Sequence, residues 1–172
     1  MSVRSAFASV LAGLALTATA AAAETVSEQV VVAGAVKSSL TLGVNDLKTF
    51  PAEQIASVTA TRRVEDKDLA STVRGVRLTA VLERAGLAGN DRNEWKHTAV
   101  LATATDGYRV VFSWPELFNT EVGAGVLVVF VRDGAPLGDR EGRIALVATR
   151  DLRTGPRSVT WLTRLDVQVL KE

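Results

Sequence analysis

Arginine is the residue best placed to do chemistry in this chain. Arg62 and Arg63 are adjacent, Arg74 follows, and Arg140, Arg143, Arg150, Arg153, Arg157 and Arg164 crowd the last third. A guanidinium is planar, always charged and forked, so it matches a carboxylate or phosphate through paired hydrogen bonds. Spread over strand faces and loops, the same residues would only keep a surface hydrated, and spacing alone leaves both readings open. Other chemistry is scarce. Cysteine is absent and histidine occurs once, at His97, so neither a multi-imidazole nor a thiolate metal site can be built. His97 stands at a strand start beside Trp95 and Lys96 and reads as a surface residue. Glu65, Asp66 and Asp68 are hard oxygen ligands, but Lys67 interrupts them and no glycine shapes a cation loop there. The chain has no G-x-S-x-G, H-E-x-x-H or phosphate-binding loop, and Gly123-Ala124-Gly125 lacks the third glycine of a dinucleotide fingerprint. No metal site and no catalytic group follow from these residue types.

The elements that must position the arginines are mostly strands. Residues 28–36 and 38–42 are apolar and β-branched, and 55–65 alternate in the period of a half-buried strand. Asn45-Asp46 offers a side-chain cap for a short helix over 46–49 that Pro51 stops. The charged stretch 65–68 reads as a loop. Residues 74–87 turn from strand to helix, with Thr79 as the N-cap, Val81, Leu82 and Ala85 on the buried side, and Gly86 where a left-handed cap is wanted. Strands over 96–105 and 108–112 form a hairpin across Asp106-Gly107, a favoured two-residue turn. Ser113-Trp114-Pro115-Glu116 then starts a helix, with Ser113 and Glu116 spaced as a capping box, Pro in the first turn and Trp114 stapling the helix to the core. Residues 126–131 are apolar on both faces, as a central strand would be. Asp133-Gly134 turns the chain, and 144–149 and 159–170 supply the last strands. The expected class is α+β, a mixed β-sheet or barrel-like core with short inserted helices.

The first residues read as an export signal rather than as fold. Arg4 precedes an apolar run over 6–16, and Ala21-Ala22-Ala23 stands before Glu24. These are the three parts of a secretory signal peptide, so residues 1–23 are expected to be removed and the protein to reach the periplasm or the cell exterior. The run is too short for a membrane span of about 20 apolar residues, and no other candidate span follows. Residues 24–172 suit a single domain, of a size that buries about 68–70% of its unfolded surface and so needs no disulfide. Without Arg4 the 20 basic residues fall to 19, matching the 19 acidic ones. That balance carries no basic footprint for nucleic acid.

Five stretches in order carry a resemblance. They are LTLGVNDLKTFP (40–51), RGVRLTAVLERAGL (74–87), ATDGYRVVFSWPEL (104–117), VVFVRDGAPL (128–137) and EGRIALVATRDLRTGPRSVTWLTRLDV (141–167). Together they resemble the molybdopterin-binding domain of sulfite-oxidase-type oxidoreductases. The resemblance implies an α+β domain with a pterin cofactor lying against strand ends and loops. It implies that the hairpin at Asp106-Gly107 and the helix after it frame the cofactor side, which places Tyr108 there. It also implies that Arg62, Arg63, Arg74, Arg150, Arg153 and Arg157 converge on one edge as a cradle for an anion. Active members of that family hold molybdenum through a cysteine in the segment before R-G-V, and the corresponding residues here, 60–73, contain none. The family's His-Gly is replaced by Glu141-Gly142, and its Pro-Gly by Thr149-Arg150. The chain is therefore similar to a cysteine-less branch of small exported proteins that share this fold.

Three functions are left to separate. One is a non-catalytic binding or accessory module without a cofactor, taking a small anionic ligand or a periplasmic protein partner at Arg62, Arg63, Arg74, Tyr108, Arg150 and Arg153. A second is a molybdenum–pterin oxidoreductase that holds molybdopterin without a protein thiolate. A third is a purely structural exported domain. The missing cysteine favours the first.

Overall fold

The computed structural model describes residues 26–64, 67–89 and 92–170, and the side chains of all of these except residues 62–64 and 92. The leader expected over residues 1–23 lies outside them, as do Glu65 and Asp66. Two short strands, β1 (Gln29–Gly34) and β2 (Leu40–Gly43), lead into helix α1 (Val44–Lys48). A long ribbon follows, β3 (Ile55–Val64) with β4 (Lys67–Arg77), and runs directly into α2 (Leu78–Ala85). Helix α3 (Arg92–Lys96) precedes the hairpin of β5 (Thr98–Ala104) and β6 (Arg109–Ser113), and α4 (Trp114–Asn119) and α5 (Glu121–Ala124) come next. Strands β7 (Val126–Arg132), β8 (Ala135–Pro136), β9 (Ala145–Ala148) and β10 (Leu162–Val169) complete the order. Among the described residues no helix is long and apolar enough to cross a membrane.

The strands form two sheets. The first runs β2-β1-β10-β5-β6 and is mixed, because β1 and β10 pair in parallel while the other neighbours are antiparallel. The second runs β3-β4-β7, with β8 and β9 sharing the far edge of β7, and is antiparallel throughout. The class is α+β, as expected from the sequence. The barrel-like core is corrected to two open sheets, because β3 and β6 each have a single strand neighbour among the described residues. The sheets face each other through side chains. Near their ends one bridge joins Leu146 to Val159, each donating to the other's carbonyl at 2.8 Å.

Burial explains the central strand. Val126, Val128 and Phe130 of β7 point into the main core between the sheets, with Val30, Phe112, Leu146 and Leu165. Leu127 and Val129 point the other way, into a smaller cluster with Val73, Leu137 and Val147. A strand covered on both sides must be apolar at every position, and each such side chain contributes about 1.5–3 kcal/mol on burial. Helices α2 and α4 close the main core with Leu78, Val81, Leu82, Trp114 and Leu117. Trp114 is buried, as the stapling role requires.

Local signals held in part. His97 is exposed, and Gly86 ends α2 with φ at 67°. The cap of α1 is Gly43 rather than Asn45-Asp46, since Asp46 sits one turn in and its carboxylate accepts from the Gly43 N–H at 2.8 Å. Helix α2 starts at Leu78 with Arg77 before it and no side-chain cap, so Thr79 is already helical. Burial of Leu78 anchors that start in place of a hydroxyl. The β5–β6 turn has three residues, not two. Ala104 N–H donates to the Tyr108 carbonyl at 2.9 Å around Thr105, Asp106 and Gly107, and Gly107 takes the positive φ (89°) that such loops need at their last position. The charged stretch is also less of a loop than its composition suggests, because Lys67 and Asp68 already pair with Val64 and Arg63.

Strand β4 approaches β7 closely at Gly75, beside a register shift between Arg74 and Gly75. A Cβ there would lie 2.3 Å from the Val128 carbonyl oxygen, so any side chain must push the two strands apart. Gly75→Ala is expected to lower the unfolding free energy by about 1–3 kcal/mol in urea titrations. At Gly138 a Cβ would meet nothing within 4 Å, so Gly138→Ala should stay within about 0.5 kcal/mol of the parent. Equal stability of the two variants would contradict the close approach.

Candidate functional site

Where the β3–β4 ribbon extends past the main core, its inner face becomes polar. Thr59 and Thr61 alternate along β3 on the face of Ile55, while Ala56, Val58 and Ala60 turn to the second cluster. Facing them is the segment 149–158. Between ribbon and segment lies a cleft of ≈ 830 Å³, within the range of small-molecule sites. Its walls are the hydroxyl residues Thr59, Thr61 and Thr149, the carboxylates Asp68 and Asp151, and Arg153.

The segment is held by four of its own side chains. Thr154, buried, donates its hydroxyl to the Thr61 carbonyl at 2.7 Å and so ties the segment to the ribbon. Ser158 donates to the Thr154 carbonyl at 2.6 Å, and Thr149 to the Gly125 carbonyl at 2.9 Å. The strongest tie is Arg157. Its Nε and Nη2 bind the two oxygens of Asp151 at 2.7 and 2.5 Å. Nη1 donates to Glu116 Oε1 at 2.6 Å, and the guanidinium carbon lies 4.8 Å from the centre of the Phe112 ring. The paired bonds to Asp151 hold the Arg157 proton well above the usual guanidinium range; partial burial opposes this, and Glu116 reinforces it.

This arrangement changes the meaning of the Ser-Trp-Pro-Glu start. Ser113 Oγ caps α4, accepting from the Glu116 N–H at 3.1 Å. The Glu116 carboxylate does not return to Ser113 to complete the box, because it is committed to Arg157. Tyr108 is half-exposed, and its hydroxyl donates to the Pro156 carbonyl at 2.7 Å. The hairpin and the helix after it therefore frame the outer side of the segment 149–158.

The six singled-out residues do not all meet. Arg153 lines the cleft. Arg74 is exposed on β4 opposite Ser57, on the Thr59 face of the ribbon but outside the cleft lining. Arg150 turns to α5, where it binds both the carboxylate and the main-chain carbonyl of Glu121. Tyr108 stands behind the segment. Arg62 and Arg63 pair through their backbones with Leu69 and Asp68, and their side chains lie outside those described. Arg157 is a tie rather than a free cation. Composition singled out the arginines but not the threonines, although Thr59 and Thr61 repeat at the period of two that puts them on one face.

A family model described as "Oxidoreductase molybdopterin binding domain" matches residues 18–171. The chain belongs to this family. Among solved structures, the sulfane dehydrogenase SoxCD from Paracoccus pantotrophus shares the fold, with a TM-score of 0.65 at 18% identity. The match covers 87% of this chain and 40% of that one. No curated protein matches the sequence.

The residues present do not fit a metal held by the family's thiolate. The chain contains no cysteine, and among the described residues no group of three or more His, Asp or Glu side chains could hold an ion. The cleft offers hydroxyl and carboxylate oxygens, which suit hard cations rather than a soft thiolate-type centre. An anionic tail of a cofactor would meet Asp68 and Asp151 as well as Arg153.

Arg157 carries a measurable load. Its side chain is 26% exposed and that of Asp151 10%, so removing the cation leaves a mostly buried carboxylate unpaired. Arg157→Ala is expected to cost about 2–3 kcal/mol. A double-mutant cycle with Asp151→Ala should return a coupling of about 1–2 kcal/mol. Arg157→Lys, which lacks the fork, should recover less than half of the loss. A coupling near zero would remove the clamp from this account.

Proposed function

We propose that this domain is a non-catalytic binding or accessory module of the molybdopterin-binding family, exported to the periplasm or cell exterior. Its cleft takes a small anionic ligand, or the anionic side chain of a periplasmic protein partner. One observation carries the reading: the cleft presents Arg153 among threonine hydroxyls in a chain without cysteine. Arg153 supplies a forked donor pair for a carboxylate or phosphate, and Thr59 and Thr61 supply hydroxyl donors on the opposite wall. Asp68 on the same wall restricts the ligand to one that leaves that side uncharged. Arg74, on the ribbon face beyond the lining, adds attraction without contact. Export is supported by the pattern of residues 1–23.

Family membership favours a second reading, an oxidoreductase that holds molybdopterin through the pterin alone. Metal analysis separates the two. Produced in a host that makes the molybdenum cofactor, the purified protein is expected to carry well below one molybdenum per chain. Inorganic phosphate should then raise the melting temperature, by about 2.7 kcal/mol of added stability at a hundredfold excess over Kd. Arg153→Ala should abolish that shift, whereas Arg150→Ala should preserve it. Stoichiometric molybdenum with extractable pterin would establish the oxidoreductase instead. Identical phosphate responses in all three proteins would leave only a structural domain.

A further inference from the structure

A second cavity, of ≈ 540 Å³, opens between α2, α3 and α4, none of whose residues line the Arg153 cleft. Its walls are apolar: Leu82 and Leu87 from the α2 region, Trp95 from α3, and Trp114, Pro115 and Phe118 from α4. Trp114 and Phe118 stack at 4.2 Å with ring planes 18° apart. Phe118 is 36% exposed and Trp95 39%, so rings that normally seek burial stay open to solvent at the mouth. The stack can accept one more ring.

Polar groups at the cavity are mainly donors. Trp114 is buried, yet its indole N–H has no protein acceptor among the described residues. Lys96 lines the same cavity, its ammonium donating to Asn93 Oδ1 at 3.3 Å and to no other partner among the described residues. The one carboxylate, Glu83, is exposed and stands on the ridge shared with a neighbouring depression that Arg84 lines. A cation beside an aromatic stack is complementary to a ring bearing an anionic acceptor. The volume suits a small molecule.

We propose that this cavity is a second binding site, for a small aromatic carboxylate whose ring continues the Trp114–Phe118 stack and whose carboxylate meets Lys96. The site is independent of the cleft at Arg153. Calorimetric titration of the full chain with 2-naphthoate and with its neutral analogue 2-naphthamide tests it. The carboxylate is expected to bind about tenfold more tightly than the amide. Lys96→Met should erase that difference while leaving the amide unchanged, Trp95→Ala should weaken both ligands, and Glu83→Gln should weaken neither. Trp95, Lys96 and Glu83 are all exposed, so these variants are expected to fold, which thermal melts check. Arg153→Ala should leave both affinities as they are, which separates this site from the first. Equal binding of acid and amide, no saturable heat from 2-naphthoate up to millimolar concentration, or an unaltered affinity in Trp95→Ala would each overturn the proposal.

Discussion

One guanidinium organises the polar half of this domain. Arg157 joins β6 through the Phe112 ring, α4 through Glu116 and its own segment through Asp151. Phe112 and Glu116 lie about forty positions before Arg157 and Asp151 only six, and a planar side chain with several donors can meet both carboxylates while its face rests on the ring. The ties differ in worth. Asp151 is the more buried of the two carboxylates and takes the paired hydrogen bonds, so it sets the geometry. Glu116 is more exposed, and water screens part of its attraction. The Phe112 face supports the cation where water is scarce. With Arg157 in place, the segment 149–158 has a fixed height above the ribbon, and the cleft has a wall.

The position of that cleft follows from how the core is filled. Strand β7 is covered on both faces, which forces β4 to lie flat against it and brings Gly75 onto the Val128 carbonyl. The β3–β4 ribbon is longer than the core it covers. Val73 and Val76 are its last fully buried side chains on β4, and residues 67–70 are exposed. Beyond the core the inner face has no apolar surface to meet, and the alternate positions after Ile55 are Ser57, Thr59 and Thr61. A polar cleft is the physical result of a ribbon that outruns its sheet partner. Thr154, bound to the Thr61 carbonyl, marks the boundary.

What was legible in the sequence was local or periodic. The continuous apolar run at 126–131 announced a strand buried on both sides, Ser113 and Pro115 announced a helix start, and Gly86 a helix end. Each of these depends on a residue's own conformational preference or on its two faces. What was not legible depends on distant partners. Glu116 sits at the spacing of a capping box, yet a stronger charged partner 41 positions away claims its carboxylate. Arg150 and Arg157 look alike as sequence, but Glu121 draws one outward and Asp151 holds the other inward. The three-residue turn at Thr105–Gly107 differs from the expected two because register across β5 and β6 is set by the whole ladder. The barrel-like expectation failed for a related reason: strand count does not say which edges meet.

A chain without cysteine on this scaffold raises the question of what shapes its cleft. Every tie that shapes the cleft is made by the protein itself, through Thr154, Ser158, Thr149, Arg157 and Tyr108. None of these groups is left waiting for a ligand to complete its hydrogen bonds. Ties within the chain set the position of the wall. The cleft side chains without a partner among the described residues, Arg153, Thr59, Thr61 and Asp68, sit on two facing surfaces with opposite preferences. Specificity in the cleft follows from that opposition. A ligand gains the Arg153 fork only if the part of it nearest Asp68 carries no negative charge, since an unpaired like charge there costs more than one forked bond returns.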